Sequence, residues 1–167
     1  MILTNDPSFS TGWGWAIIAP CDKIIAAGAF KSPSDKGKKE RVTEADARRF
    51  RGLSSKLWDM ISVYDITMII SETPDGSQSA RAAKLSGAIM GILETISVAK
   101  AIPLHFVYQG DVKKFIFDRR NVEKEETQAF ITNTYNLDGF IPHSNWGKEA
   151  VCDAMAVYHY AKHKLKL

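Results

Sequence analysis

Residues 1–30, "MILTNDPSFSTGWGWAIIAPCDKIIAAGAF", contain three apolar runs cut by short polar breaks. "MILTND" reads as a buried strand ending in an aspartate. Pro7 holds the Asp6 backbone extended, because the proline ring crowds the residue before it. "GWGWAIIAP" and "KIIAAGAF" are two further strand-length runs, bounded by Gly and Pro and separated only by Cys21 and Asp22. A connection that short joins antiparallel strands. An antiparallel meander therefore opens the domain.

Beyond it the pattern changes. The polar stretch "SPSDKGKK" leads into a helical pattern from about Glu40 to Val63, with Val42, Ala45, Phe50, Leu53, Leu57, Met60 and Ile61 on one side. "ITMIIS" is a fourth strand that ends at Glu72, and the turn "TPDGS" precedes a long helix from about Gln78 to Ala99. "PLHFVY" is a fifth strand. "GDVKKFIFD" and "KEETQAFITNTY" read as two short helices, and Trp146 to His163 as the last one. The order β-β-β-α-β-α-β-α-α-α predicts an α/β fold. Its five-stranded mixed sheet has three antiparallel strands followed by parallel ones, with helices on both faces.

The chain has 167 residues, the size of one domain, and the whole of 1–167 is read as such. Its 45% hydrophobic and 25% charged residues are the balance of a soluble globular protein. There is no run of 18 or more apolar residues, so no membrane span is expected. The start lacks the basic and apolar regions of a signal peptide, and two cysteines make no disulfide framework. A cytoplasmic protein is expected. Net charge is only +3, but residues 31–58 carry nine Lys or Arg against four acids. The basic members include Lys36, Lys38, Lys39, Arg41, Arg48, Arg49 and Arg51. They read either as a solvated helix face or, beside an active site, as a phosphate-contacting surface.

Asp6 and Glu72 each close a strand, and in an open α/β sheet ligands bind beyond the carboxyl ends of parallel strands. "KEAVCDAMAV", residues 148–157, adds Glu149 and Asp153 four positions apart on one helix face. Such a like-charged pair costs a helix roughly 0.2–0.5 kcal/mol. Four carboxylates converging would raise one another's pKa values unless a cation neutralised them. Oxygen-only ligands select Mg²⁺ or Mn²⁺. Two such ions about 3.5–4 Å apart suit in-line attack on a phosphate ester. Each acid also has a structural alternative: a turn at Asp6, a cap or ion pair at Glu72, a helix-dipole contact at Glu149, and at Asp153 a purely structural place in its apolar helix, where unpaired burial is costly.

These residues carry a resemblance. "NDPSFSTGWGWAII", "IISETPDGSQSARAAKLSGAIMGILE", "VYQGDVKKFI" followed by "EKEETQAFI", and "EAVCDAMAVYHY" resemble, in order and spacing, the motifs of RuvC-type Holliday-junction resolvases. That family lies within the ribonuclease-H-like superfamily, and the chain resembles a divergent phage version of it. The resemblance implies a ribonuclease-H-like fold and a metal-dependent endonuclease that resolves four-way DNA junctions as a homodimer, in a bacterial or phage-infected cell. It implies metal-binding and catalytic roles for Asp6, Glu72 and Asp153. Lys113 or Lys114 would lie near the scissile phosphate, and Lys124 would bind DNA.

The chain departs from that pattern in two places. The other acid of the family's last helix falls at Ala150 here, so Glu149, one step back, is the expected substitute metal ligand, with His143 as an alternative if its loop folds inward. The turn after Glu72 lacks the aromatic found in relatives. Phe115, Phe117 or Trp146 could take over its base-unstacking role, although each reads first as core. The long helix carries a small-residue stripe, Ala83, Gly87 and Gly91, beside an apolar one, Leu85, Ile89, Ile92 and Ile96. The resemblance favours a dimer contact there. The alternatives to a junction resolvase are a broader branched-DNA, flap or RNA-hybrid nuclease of the same fold, or a non-catalytic nucleic-acid-binding module. An actin-type ATPase is disfavoured by the glycine-poor "DPSFSTGW".

Overall fold

Strict alternation along the strands sorts the core into two layers. The protein is described by a computed structural model covering residues 1–9, 12–32, 40–73 and 79–167. Its strands are β1 (Ile2–Asp6), β2 (Trp13–Ile18), β3 (Ile24–Phe30), β4 (Met68–Thr73) and β5 (Leu104–Tyr108). They form one sheet in the order β3-β2-β1-β4-β5. The pairs β1–β2 and β2–β3 are antiparallel, while β1–β4 and β4–β5 are parallel. The expected meander and the expected parallel half are both present.

Among the described residues, five α-helices cover this sheet: α1 (Val42–Val63), α2 (Ala80–Lys100), α3 (Gln109–Phe117), α4 (Lys124–Thr134) and α5 (Asn145–Leu165). Because side chains along a strand alternate faces, Leu3, Ile17 and Ile69 point to one side and pack with Leu53 and Leu57 of α1 and Ile89 and Leu93 of α2. Ala16, Ile18 and Ile70 point to the other side, against Val112 of α3, Ile131 of α4 and Met155 and Val157 of α5. Helices therefore lie on both faces. Val42, placed by its periodicity on the inner side of α1, is instead 44% exposed, and the buried face of that helix begins at Ala45.

The helix ends are set locally. Ser79 caps α2 by accepting a hydrogen bond from Ala82 N at 3.1 Å, and Ser144 caps α5 by accepting one from Gly147 N at 3.3 Å. α2 is apolar over its length, with a mean hydropathy of 1.3 across 18 residues, and by length and composition alone could cross a membrane. In the structure it is a surface helix: Ile89, Leu93 and Ile96 are buried against the sheet, while Ala83, Gly87 and Gly91 face outward.

α5 is the central helix. It touches β1, β2, β3 and β4 as well as α3 and α4. Small residues let it lie close: a Cβ at Gly14 of β2 would fall 1.8 Å from the Ala150 carbonyl oxygen, so only glycine fits there. That contact fixes the height of α5, and with it Glu149 and Asp153, above the sheet.

Candidate active site

The parallel pairing of β1 with β4 sets Asn5 opposite Ser71, one residue before Asp6 and Glu72. Both carboxylates thus leave the sheet at the same edge and on the α5 face. Their strands are pinned just beneath them. Ser71 Oγ donates to Asn5 Oδ1 at 2.9 Å, and Asn5 Nδ2 donates to the Ile70 carbonyl at 3.3 Å, all three buried. Buried side-chain pairs of this kind satisfy polar groups that would otherwise be costly, and they fix strand register.

Asp153 of α5 joins the strand-end acids. Burial is the first cause of raised pKa values at all three: Asp6 is pushed up to about 6, Asp153 to about 8 and Glu72 to about 9. Mutual repulsion comes next. Glu72 feels Asp6 and Asp153, Asp153 feels Asp6 and Glu149, and Asp6 feels Glu149. Asp6 and Asp153 therefore link Glu72 on one side to Glu149 on the other, and two lysines oppose the acids: Lys113 beside Glu72 and Asp153, and Lys124 beside Asp6 and Asp153.

A cleft of about 410 Å³ opens here, lined by Asp6, Gly12, Lys31, Lys124, Trp146, Glu149, Ala150 and Asp153. Glu72 lies deeper, 9% exposed, in a small recess with Lys113 and Asp153. The donors are all carboxylates whose ionised forms burial and mutual repulsion disfavour, and a hard divalent cation bound by their oxygens would offset both. Among the described residues, no three His, Cys, Asp or Glu side chains form a group that could hold a metal ion as they stand. The carboxylates are grouped electrostatically without being drawn into a chelate.

Glu149 has a partner of another kind. It is ion-paired with Lys124, the first residue of α4, across the mouth of the cleft. Ala150 contributes a wall of that cleft and, through its carbonyl, the contact with Gly14. His143 stays exposed and is not part of the cleft wall.

The two lysines of "GDVKK" separate. Lys113 turns toward the acids and donates to the Val122 carbonyl at 3.3 Å, whereas Lys114 lines a different cleft with Asp111, Phe115, Asp118, Tyr160 and Lys164. Phe115 lies in that second cleft, away from the carboxylates, whereas Phe117 lines the recess that holds Glu72, Lys113 and Asp153. Phe115 packs edge-on to Tyr160 at 5.6 Å, and Phe117 packs against Phe130 at 5.6 Å. Trp146, read first as core, is instead 36% exposed at the rim of the carboxylate cleft.

The basic segment is less uniform than its composition. Lys36, Lys38 and Lys39 lie outside the described residues. Arg48 makes two 3.1 Å hydrogen bonds to Glu40, and the Arg41 backbone N–H donates to Glu44 at 2.9 Å. Arg49 donates to Ser32 Oγ at 2.7 Å and to the Phe9 carbonyl at 2.6 Å, with its guanidinium 3.8 Å from the Phe9 ring centroid. Arg51 is exposed.

With this geometry in place, comparison with solved structures is decisive for the fold. Thermus thermophilus RuvC, in complex with a Holliday-junction substrate, superposes with a TM-score of 0.72 at 12% identity, over 97% of this chain and 94% of that one. This is the RuvC fold. RuvC from T. thermophilus in a second structure gives 0.69 at 12% identity over 97% and 95% of the two chains. The yeast mitochondrial Holliday-junction resolvase Ydc2 gives 0.63 at 12% identity over 99% of this chain and 81% of its own. The ribonuclease-H-like sheet and its covering helices thus follow RuvC almost end to end. No protein-family model matches the chain, and no curated protein does. At 12% identity the likeness to RuvC is one of fold.

Proposed function

We propose that the chain is a divalent-metal-dependent endonuclease that resolves four-way DNA junctions by phosphodiester hydrolysis. One observation carries the reading: Asp6, Glu72 and Asp153, far apart in sequence, lie within electrostatic reach at the carboxyl ends of two parallel strands of a RuvC fold, faced by Lys113 and Lys124. Asp6, Glu72 and Asp153 would hold Mg²⁺ or Mn²⁺, which when bound supplies charge neutralisation and water activation.

The chain's own groups do the rest. Lys113, steadied by the Val122 carbonyl, offers a cation to a phosphate oxygen beside Glu72 and Asp153. Lys124 does the same at the cleft mouth once a phosphate draws it from Glu149. Arg51 on α1, and the basic segment before that helix, would hold a DNA arm. A junction is cut symmetrically on two strands, which suits a homodimer. The outer face of α2 is the surface for it: a groove of about 620 Å³ between α1 and α2 is lined by Trp58, Ala88, Gly91, Ile92 and Thr95, and Trp58 is 43% exposed. Such an enzyme would act where DNA is, in the cytoplasm of a bacterial or phage-infected cell.

Ala150, in place of an acid, favours a second reading, a binding module without catalysis. One assay separates the two. With Mg²⁺, the wild-type chain is expected to nick an end-labelled four-way junction and to spare linear duplex, while D6N binds the junction without cutting it. Wild type that binds without cutting supports the module. A D6N chain that cuts normally overturns the metal-site assignment, and equal cutting of flaps or RNA–DNA hybrids broadens the substrate class.

A further inference from the structure

Asn5 of β1 and Ser71 of β4 are polar residues with no solvent exposure, and two apolar side chains of similar shape would serve stability as well. What the polar pair adds is direction. Ser71 Oγ donates to Asn5 Oδ1 at 2.9 Å, and Asn5 Nδ2 donates to the Ile70 carbonyl at 3.3 Å, so one side chain of β1 grips β4 at two points. Ser71 Oγ also stands 3.1 Å from the Glu72 carbonyl oxygen, against the backbone of that acid. Because side chains alternate along a strand, Asn5 and Ser71 lie on the sheet face opposite Asp6 and Glu72. They act on the backbone beneath the acids and cannot themselves reach an ion in the cleft.

The place of the pair in the sheet matters more. The β1–β4 register runs from Ile2–Met68 to Asn5–Ser71 and stops there. One residue further, Asp6 is opposite Gly14 of β2 and Glu72 is opposite Val107 of β5. Each acid is therefore held by its outer neighbour, and the β1–β4 pairing does not extend to their own level. Across that seam Asp6 and Glu72 repel when both are ionised, so the strand ends are pushed apart just where the pairing ends. The Asn5–Ser71 bond joins the last register pair before the opening. Buried polar contacts of this kind, when satisfied, fix one geometry where apolar packing would tolerate several.

We propose that the Asn5–Ser71 bond is a clamp that sets the spacing of the Asp6 and Glu72 carboxylates, and with it the affinity of the site for a divalent cation. The inference rests on the nuclease reading and deepens it, since it names a pair outside the cleft that governs how tightly the metal is held. Without the clamp the ends of β1 and β4 can spread, and an arriving ion must first draw them together. Asn5 and Ser71 are positioning residues, sealed from solvent and acting through the two acids that follow them in the chain.

The test is calorimetric titration of the DNA-free chain with Mn²⁺, alongside the Mg²⁺ concentration that gives half-maximal single-turnover cleavage of a four-way junction. S71A is expected to weaken Mn²⁺ binding and to raise that Mg²⁺ midpoint, each by about tenfold or more, as loss of a group that orients a metal ligand does. The cleavage rate at saturating Mg²⁺, and junction affinity in metal-free buffer, should stay near those of wild type. S71T, which keeps the hydroxyl, should retain wild-type metal affinity, and a loss equal to that of S71A overturns the clamp. A purely structural pair would instead lower the melting temperature and leave metal affinity alone. N5L/S71A replaces both partners with apolar groups and leaves no orphaned Asn5 oxygen, so it decides if S71A unfolds. If N5L/S71A unfolds as well, the pair belongs to the fold and the clamp is overturned. Wild-type Mn²⁺ affinity in folded S71A or N5L/S71A also overturns the clamp and leaves the nuclease reading standing. A wild-type chain that binds no Mn²⁺ and cuts no junction sinks that reading, and the clamp with it.

Discussion

Lys124, at the start of α4, is ion-paired with Glu149 of α5 across the opening of the cleft that contains Asp6 and Asp153. The pair engages the acid expected to stand in for the residue missing at Ala150. It also parks a cation beside two carboxylates that repel each other. We propose that Glu149 acts as a positioning residue for Lys124 in place of the expected metal-ligand role. E149Q is expected to retain junction binding and to lose roughly 10- to 100-fold in single-turnover cleavage, the usual cost of removing a residue that orients a catalytic group. D153N should leave no detectable cleavage. An E149Q variant as inactive as D153N would make Glu149 a ligand.

The raised pKa values of Glu72 and Asp153 have a consequence for stability. Folding favours the protonated forms, so this contribution is fully present below the unfolded-state values near 4 and is lost as pH rises through about 8 to 9. His159, whose pKa burial pushes down, and Asp22, held low by hydrogen bonds from Lys162 and Tyr158, act in the opposite direction on the acid side. Between pH 7 and 9.5 the carboxylates dominate. The melting temperature without divalent metal should fall across that window, and Mg²⁺ should flatten the fall. E72Q and D153N should melt higher than wild type at pH 8, by ~2–4 °C for each kcal/mol relieved in a chain of this size. A flat, metal-insensitive profile would mean that the acids do not share their charge.

Arg49 belongs to the fold. Its two hydrogen bonds and its contact with the Phe9 ring tie α1 to the end of β1 and to Ser32, the second residue after β3. R49A is expected to cost ~2 kcal/mol of stability, measured by denaturant unfolding, and to leave the salt dependence of junction binding unchanged. Replacement of the exposed Arg51 should do the reverse, lowering the salt slope by about one without a stability cost.

Gly91 tests the proposed dimer face. A Cβ there would meet nothing within 4 Å, so a single folded chain has room for a larger side chain. Leucine in place of glycine adds helix propensity of roughly 1 kcal/mol. G91L should fold at least as stably as wild type and sediment as a monomer. A persistent dimer in sedimentation velocity would move the interface away from α2.

Most of the scaffold could be read from the residues because its signals are local. The hairpin connection at Cys21–Asp22 dictated an antiparallel start, and Asp6 and Glu72 declared themselves by closing apolar runs. What could not be read depends on rotation and reach. Whether Lys113 or Lys114 faces the acids turns on about 100° of helix phase, which the packing of Val112 and Ile116 settles. Trp146 read as core because it is large and aromatic, but in the fold it packs over Gly12 with one side open to solvent. Arg49 looked like its charged neighbours until the fold supplied the Phe9 carbonyl. The Lys124–Glu149 pair joins residues 25 positions apart through the meeting of two helices. No sequence pattern announces it.

The seam between Gly14 and the Ala150 carbonyl has an evolutionary meaning as well. Main chain rests on main chain there, so no side-chain repacking can absorb a substitution at position 14. The acids of α5 are consequently set by a backbone contact with strand β2 and cannot drift independently of the sheet. Relatives too remote to match by sequence should still carry a glycine at this crossing, which makes it a marker to search for where the acids themselves have moved.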